Sequence, residues 1–356
     1  MGRMRVIFIV NSSEVIGSGH FIRCLNLALG LKANGVEVFF ISRQIKLEHT
    51  NLLIKYGFKN KQNNMESRES GKYRGFILNG IREFILEHSI LVFDWAIIDD
   101  YESNLDVDLA IREYARNIFV IDDLNLKQRN CDVLLDMNYR RLGYVKSLQE
   151  RYPKTRLFVG PKYAPLDSGY QNFHSKLDTK NIDHNLIFIN FGTLDHFSLT
   201  RRTIEKLSLE FPFLKMKVVI QNHNTDLNSI RKLSGESGNR IELFVEPSNL
   251  AKIMLHCNLS IGAGGISLWE RFCLGLNAIT VATADNQIES LVQLHEDGFL
   301  NHLGEASKIR DKDLIDSVKD FLNNRGQGNE QKRRILKLVD GRGVNTLTDF
   351  LLRVEK

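Results

Sequence analysis

Short, continuously apolar runs alternate with longer amphipathic stretches along most of this chain. In the first half the runs are Arg5–Val10, Val36–Ser42, Trp95–Ile98, Ile118–Ile121, Val133–Leu135 and Leu157–Val159. In the second half they are Leu186–Asn190, Lys217–Ile220, Ile241–Phe244, Leu259–Ile261 and Ala278–Val281. A run that is apolar throughout, not at every second position, predicts a strand buried on both faces. The amphipathic stretches between such runs predict helices crossing between parallel strands. The fold class expected is therefore α/β, with two doubly wound, Rossmann-like halves. The pattern fades over Asp167–Asn185, where the chain turns polar. The expected organisation is a first domain over 1–166, a linker over 167–185, a second domain over 186–330 and a C-terminal segment over 331–356. Within that segment the charged stretch Gln331–Val354 predicts one helix, packing back on the first half. Two such halves leave a cleft between them, a usual place for a ligand. The polar stretch Asn60–Tyr73, rich in Asn, Lys, Glu and Ser, predicts a surface loop or insertion.

The first amphipathic stretch follows the turn Val15-Ile-Gly-Ser-Gly-His-Phe-Ile-Arg23 and places Ile22, Leu25, Ala28, Leu29 and Ala33 on one face. A strand, a glycine turn and a helix present free N–H groups and a positive dipole end at the strand's carboxyl edge, where open α/β sheets bind ligands. A histidine there has its protonated form disfavoured, which suits His20 to act as a base. Equally, glycines at such turns serve packing alone, and a lone histidine there serves as a cap. The turn lacks the third glycine of a dinucleotide fingerprint, since Ile22 holds that place, and it lacks the Gly-Lys-Ser/Thr of a phosphate-binding P-loop.

Ile261-Gly-Ala-Gly-Gly-Ile-Ser-Leu-Trp-Glu270 repeats this strand–turn–helix pattern. Bare backbone from Gly262 to Gly265 can approach a phosphate, whose oxygens the N–H groups beginning the helix can bind, and Glu270 can accept hydrogen bonds from a ribose diol. Ser267 and Glu270 also fit a capping box, with Ser267 as N-cap and Glu270 as the third helical residue. A polar cluster, Ala284-Asp-Asn-Gln287, follows the next apolar run.

Composition narrows the chemistry. The 356 residues suit two domains, and 43% hydrophobic with 26% charged residues is ordinary for a globular enzyme. A net charge of +5, spread along the chain, suits an anionic small molecule. No basic tract with interleaved aromatics predicts a nucleic-acid partner. Cys24, Cys131, Cys257 and Cys273 lie far apart, without Cys-x-x-Cys or His-Glu-x-x-His patterns. They read as reduced thiols of a cytoplasmic protein, with no metal and no cofactor expected. The run Val6–Val10 is too short for a signal peptide or a spanning helix, and Met1-Gly2 lacks a Ser or Thr at position 6, so no stable membrane insertion is expected. Oligomeric state is not specified.

Several segments, in one order, resemble the GT-B-type family of UDP-sugar hydrolases of pseudaminic acid synthesis, which release UDP from UDP-2,4-diacetamido-2,4,6-trideoxy-β-L-altropyranose. They are Ile16-Gly-Ser-Gly-His-Phe-Ile-Arg-Cys24, Ile97-Ile-Asp-Asp-Tyr101, Ile121-Asp-Asp-Leu124, Cys131-Asp-Val-Leu-Leu135 with Asn138, and Gly160-Pro-Lys-Tyr-Ala164. In the second half they are Phe191-Gly-Thr-Leu-Asp195, Ile261-Gly-Ala-Gly-Gly265 with Trp269-Glu-Arg271, and Ala284-Asp-Asn-Gln287. The resemblance covers roughly residues 4–300. It implies a GT-B-like fold and a UDP-sugar substrate, with His20 as general base for inverting attack of water at the anomeric carbon. It implies Tyr101 beside the sugar and Glu270 on the uridine ribose. Gly264, Gly265 and Ser267 would face the diphosphate, and Asn286 and Gln287 the sugar or diphosphate. Gly17, Gly19, Arg23 and Asp195 would belong to the same substrate site. The chain departs from the pattern at Asp100, where the family commonly has His, at Thr193 in a loop that usually reads Gly-Gly-Thr-Asp, and at Pro165. Those departures bear on the sugar, not on the fold. Two other readings stay open: a GT-B glycosyltransferase using a nucleotide-sugar donor, and a non-catalytic sugar-nucleotide binding protein. An apolar, basic-rimmed surface on the first half would mark a membrane-facing transferase, and Phe76–Trp95 is apolar enough to be checked for it.

Overall fold

In the computed structural model, which describes residues 3–13, 16–62, 70–177, 182–193, 195 and 197–353, each of those apolar runs lies within a strand, except that Val36 stands just before its own. The chain forms two units. The first is Met1–Pro165 with Val344–Lys356, and the second is Leu166–Gly343. The first unit runs β1 (Arg5–Val10), α1 (Gly19–Ala33), β2 (Glu37–Ser42), α2 (Leu47–Lys55), β3 (Lys59–Gln62) and α3 (Ser70–His88). It continues with β4 (Phe93–Asp99), α4 (Leu105–Ile111), β5 (Ala115–Ile121), β6 (Val133–Asp136), α5 (Tyr144–Arg151) and β7 (Arg156–Val159). The second runs α6 (Ser168–His174), β8 (Asp183–Asn190), α7 (Leu199–Glu210), β9 (Lys215–Ile220), α8 (Leu227–Glu236) and β10 (Ile241–Val245). Then follow α9 (Leu250–Met254), β11 (Cys257–Ala263), α10 (Ile266–Cys273), β12 (Asn277–Ala282), α11 (Asp285–Glu296), β13 (Asn301–Glu305), α12 (Asp311–Asn323) and α13 (Arg325–Leu338). The helix α14 (Gly343–Arg353) returns to the first unit.

Both sheets are parallel and doubly wound. The seven-stranded sheet has the order β3-β2-β1-β4-β5-β6-β7, and the six-stranded sheet the order β10-β9-β8-β11-β12-β13. The direction of strand addition reverses between β1 and β4, and again between β8 and β11. In open α/β sheets, the carboxyl ends of strands at such reversals are where ligands bind. Strands buried on both faces make the cores: Ile7, Ile9, Ile98 and Val120 pack with Ile77, Ile81 and Phe84 of α3, and Ile189, Ile261 and Val281 pack with Ile204 and Leu207 of α7.

Several expectations are corrected. The stretch Asn60–Tyr73 is not wholly a loop: β3 includes Asn60–Gln62, α3 begins at Ser70, and Tyr73 is buried. Residues 63–69 lie outside the described residues. A polar edge strand forms here because its pairing with β2 is made by backbone, which no apolar run announces. The buried face of α1 is Phe21, Cys24, Leu25, Ala28 and Leu31, whereas Ile22 and Leu29 are half-buried and Ala33 is exposed. The expected linker contains α6, which packs on α10 and buries Tyr170; residues 178–181 lie outside the described residues. Gln331–Val354 is not one helix. It breaks after Leu338, α13 packs on α10 and β12, and only α14 belongs to the first unit. There Phe350 meets Trp95 and Phe158. Phe76–Trp95 supplies core, through Ile77, Ile81, Phe84 and Phe93, with Leu86 and Leu91 exposed singly. All four cysteines are buried and free. Among the described residues, no helix is long and apolar enough to cross a membrane.

Candidate active site

In the first unit the turn after β1 meets the end of β4, its neighbour at the sheet's reversal. Gly17 closes a small loop, its N–H donating to Ser13 O at 2.8 Å, and Gly19 opens α1. His20 is the second residue of α1, and its Nδ1 lies 2.7 Å from Oδ1 of Asp99, the last residue of β4. Arg23, one turn further along α1, grips the same carboxylate. Its Nε donates to Asp99 Oδ2 at 2.5 Å and its Nη2 to Asp99 Oδ1 at 2.6 Å. Its Nη1 donates to Asp123 Oδ2 at 3.0 Å, in the loop after β5. The Tyr101 hydroxyl donates to the other oxygen of Asp123, and its ring meets His20 edge-on at 4.6 Å.

These contacts fix the imidazole's tautomer. Two contacts compete for Nδ1: Arg23 Nη2, at 3.0 Å, can only donate and would need its lone pair, whereas ionised Asp99, closer at 2.7 Å, can only accept and needs its proton; the closer carboxylate decides. A bare Nδ1 lone pair would face an ionised carboxylate at hydrogen-bond distance. Nδ1 therefore carries the proton toward Asp99, and Nε2 is left as the acceptor. Burial pushes Asp99 up, yet the charge of Arg23 and the contacts with Arg23 and His20 hold it well below the ordinary carboxylate range. Asp123 is likewise lowered against its burial by Arg23, His20 and the Tyr101 hydroxyl. Burial opposes the Arg23 charge, but Asp99 and Asp123 outweigh it and raise its pKa. Burial and the charge of Asp123 raise the Tyr101 phenol, which stays a donor.

Asp100 turns to a different set of partners. It accepts from Asn11 Nδ2 at 2.6 Å, from the Tyr73 hydroxyl at 2.5 Å and from Glu102 N at 2.9 Å. Burial raises its pKa. Through these bonds the Asp100 carboxyl ties α3 to the ends of β1 and β4. A small, open pocket lies beside it, lined by Asp100, Tyr101, Leu124, Leu126, Lys127 and Arg129 among others.

The second unit repeats the turn with different contents. Gly262, near the end of β11, lies so close to β8 that a Cβ would stand 1.9 Å from the Asn190 carbonyl oxygen. Gly265 caps α10 with φ 77° and ψ −160°, a backbone region open in practice only to glycine. Because α10 starts there, Ser267 lies inside its first turn, its hydroxyl donating to Gly264 O at 3.4 Å. The expected capping box with Glu270 does not form. Glu270 is buried, and burial raises its carboxyl to about 7, opposed by Tyr170 and Arg271. Gln287 Oε1 accepts from Gly264 N at 3.2 Å and from Thr283 N at 3.1 Å, tying α11 to the glycine turn. Asn286 stands half-buried in the first turn of α11. Asp195 caps α7, accepting from Leu199 N at 2.7 Å and Thr200 N at 3.0 Å. Gly192 takes the positive φ of its loop, so Thr193 is not required to, and Leu194 lies outside the described residues.

The first unit thus gathers Gly17, Gly19, His20, Arg23 and Tyr101. The second gathers Gly264, Gly265, Ser267, Glu270 and Gln287. Sequence reasoning assigned no role to Asp99, Asp123, Tyr170 or Arg271. The signal for Asp99 and Asp123 was present, since each closes or follows a buried apolar strand where a carboxylate needs a partner. Among the described residues, no group of three or more His, Cys, Asp or Glu side chains is arranged to hold a metal ion.

No protein-family model matches the chain. The spore coat polysaccharide biosynthesis protein SpsG of Bacillus subtilis is 22% identical over 347 residues, 94% of this chain and 94% of that protein. The UDP-2,4-diacetamido-2,4,6-trideoxy-β-L-altropyranose hydrolase of Campylobacter jejuni is 25% identical over 210 residues, 58% of this chain and 73% of that enzyme. An uncharacterised protein of Methanocaldococcus jannaschii is 22% identical over 293 residues, 80% of this chain, which spans 57% of that protein's length. Among solved structures, MurG of Acinetobacter baumannii matches with a TM-score of 0.68 at 14% identity, over 98% of this chain and 99% of its own. A UDP-glucosyltransferase of Polygonum tinctorium matches with a TM-score of 0.69 at 13% identity, over 98% and 99%. The chain has the GT-B fold. The doubly wound units expected from the apolar runs are those of that fold.

Proposed function

We propose that this protein hydrolyses a UDP-sugar with inversion at the anomeric carbon, on a substrate of the UDP-2,4-diacetamido-2,4,6-trideoxy-β-L-altropyranose kind, in nonulosonic acid synthesis for surface polysaccharide or flagellin glycosylation. The observation that carries the reading is the Asp99–His20 pair. A carboxylate held ionised by Arg23 fixes Nδ1–H, and Nε2 takes a proton from water. The water oxygen bonds to the anomeric carbon as the bond from that carbon to the diphosphate oxygen breaks, its electron pair leaving with UDP. As His20 becomes cationic, Asp99 stabilises it. In the second unit, free N–H groups of the first turn of α10 stabilise the leaving diphosphate. Glu270 takes the ribose diol, while Gln287 holds the turn that faces the diphosphate. Tyr101 and Asn286 contact the sugar. The hydrolase of Campylobacter jejuni, matched over 210 residues, supports the substrate class. No cofactor is required by this mechanism, and the reaction fits a cytoplasmic protein.

A second reading, transfer of the sugar to an acceptor hydroxyl, draws support from one surface. Leu126, Leu142 and Val145 are exposed on the loops after β5 and β6 and on α5, in a stretch where Lys127, Arg141, Lys146 and Arg151 are also exposed. Incubation with the UDP-sugar in EDTA, followed by NMR, separates the two. Release of UDP with inverted free sugar, abolished in His20→Ala, supports hydrolysis. Binding without release until an acceptor alcohol is added supports transfer, and binding with no turnover at all supports a sugar-nucleotide binding protein.

A further inference from the structure

Arg271 is 1% exposed and lies beneath the glycine turn of the second unit. Its Nε donates to Ser267 O at 3.1 Å and its Nη2 donates to Ala263 O, so one guanidinium holds both ends of the turn. The peptide between Ala263 and Gly264 is thereby fixed from both sides: its oxygen on Arg271, its N–H on Gln287. Nη1 has no hydrogen-bond partner. It faces Gly262, where a Cβ would stand 3.3 Å away. Among the described residues no carboxylate is in an ion pair with Arg271. Burial drives the guanidinium down to about 10, against the charge of the adjacent Glu270, which raises it. Arg23, equally buried, sits between two carboxylates.

A buried, unpaired cation is costly, and neutral donors could brace two carbonyls. Its placement under a turn of bare backbone has a physical use if the compensating charge arrives with the ligand. We propose that Arg271 is the buried counter-charge for a phosphate or diphosphate group bound on the Gly262–Gly265 turn and the first turn of α10, acting by its charge from beneath the turn without touching the ligand. The inference rests on the reading of this turn as the nucleotide-diphosphate site.

The test is calorimetric titration of uridine, UMP and UDP into the full-length wild type, Arg271→Met and Arg271→Lys, with thermal melting of each. The wild type is expected to prefer UDP over uridine. Arg271→Met is expected to lose about tenfold in UDP affinity while keeping its uridine affinity, because only the charged ligand feels the missing cation. Arg271→Lys keeps the charge but cannot span both carbonyls, so it is expected to keep most of the UDP preference even at a lower melting temperature. A purely structural role predicts the opposite: Lys as damaging as Met, and both ligands weakened alike. That result overturns the proposal, as does an unchanged UDP preference in Arg271→Met. Should Arg271→Met not fold, the Lys variant decides alone, through its ratio of UDP to uridine affinity. Failure of the wild type to prefer UDP over uridine removes the diphosphate reading itself, and this inference with it.

Discussion

The two glycine turns share a backbone plan and differ in where they place charge. After β1, every buried charge has a partner inside the protein: Arg23 lies between Asp99 and Asp123, and Asp99 also holds His20. After β11, Glu270 and Arg271 are buried without an ion pair among the described residues, and the carboxyl stands near 7 instead of in the ordinary carboxylate range. A satisfied network rigidifies one imidazole and readies one lone pair, which suits proton transfer. An unsatisfied one is suited to complete itself on a ligand. Fold repetition therefore does not imply repeated chemistry.

This contrast is most exposed to His20→Ala. It is expected to lower kcat for UDP release by about 10²–10⁴-fold while leaving UDP affinity unchanged; a parallel loss of UDP affinity, measured by titration, would erase the division of labour. Next is Asp99. Asp99→Ala strands Arg23 beside Asp123 alone and is expected to lose about 3–5 kcal/mol in urea unfolding. Asp99→Asn keeps the shape, and should retain more of the fold while lowering kcat far more than KM. The third tests the other turn. A ribose diol donates to a carboxylate, so binding displaces the proton that Glu270 carries near its pKa of about 7. UDP affinity is then level above that pH and falls as pH drops below it, by up to about tenfold per unit. Glu270→Gln should bind more weakly and flatten that profile. The smallest effect is at Tyr73, whose hydroxyl donates to Asp100. Tyr73→Phe is expected to cost about 1 kcal/mol in thermal or urea unfolding, with kcat unaltered, if Asp100 serves the frame and not the proton.

Strands were legible where the chain speaks through its own side chains. β4 and β12 are buried throughout, β1 from Val6 onward, and their apolar runs show it. β3, with the sequence KNKQ, and β13, with NHLGE, are edge strands held by a neighbour's backbone, and neither has a run to see. The site divides in the same way. His20 and Glu270 stand at turns whose glycines mark them, one turn or less into a helix. Asp99 and Asp123 acquire their roles from Arg23, which is 76 and 100 residues away. Tyr170 acquires its own from α6, in a stretch too polar to look like structure. Pairing across such separations is a property of topology, which apolar periodicity reports only indirectly.

Helix α14 gives the chain a consequence in time. The first unit needs residues from both ends: Val344 and Thr348 lie against Gly30, and Phe350 meets Trp95 and Phe158. During translation the whole of Leu166–Gly343 leaves the ribosome before this closing helix does. The half that carries His20, synthesised first, is thus the half that finishes last.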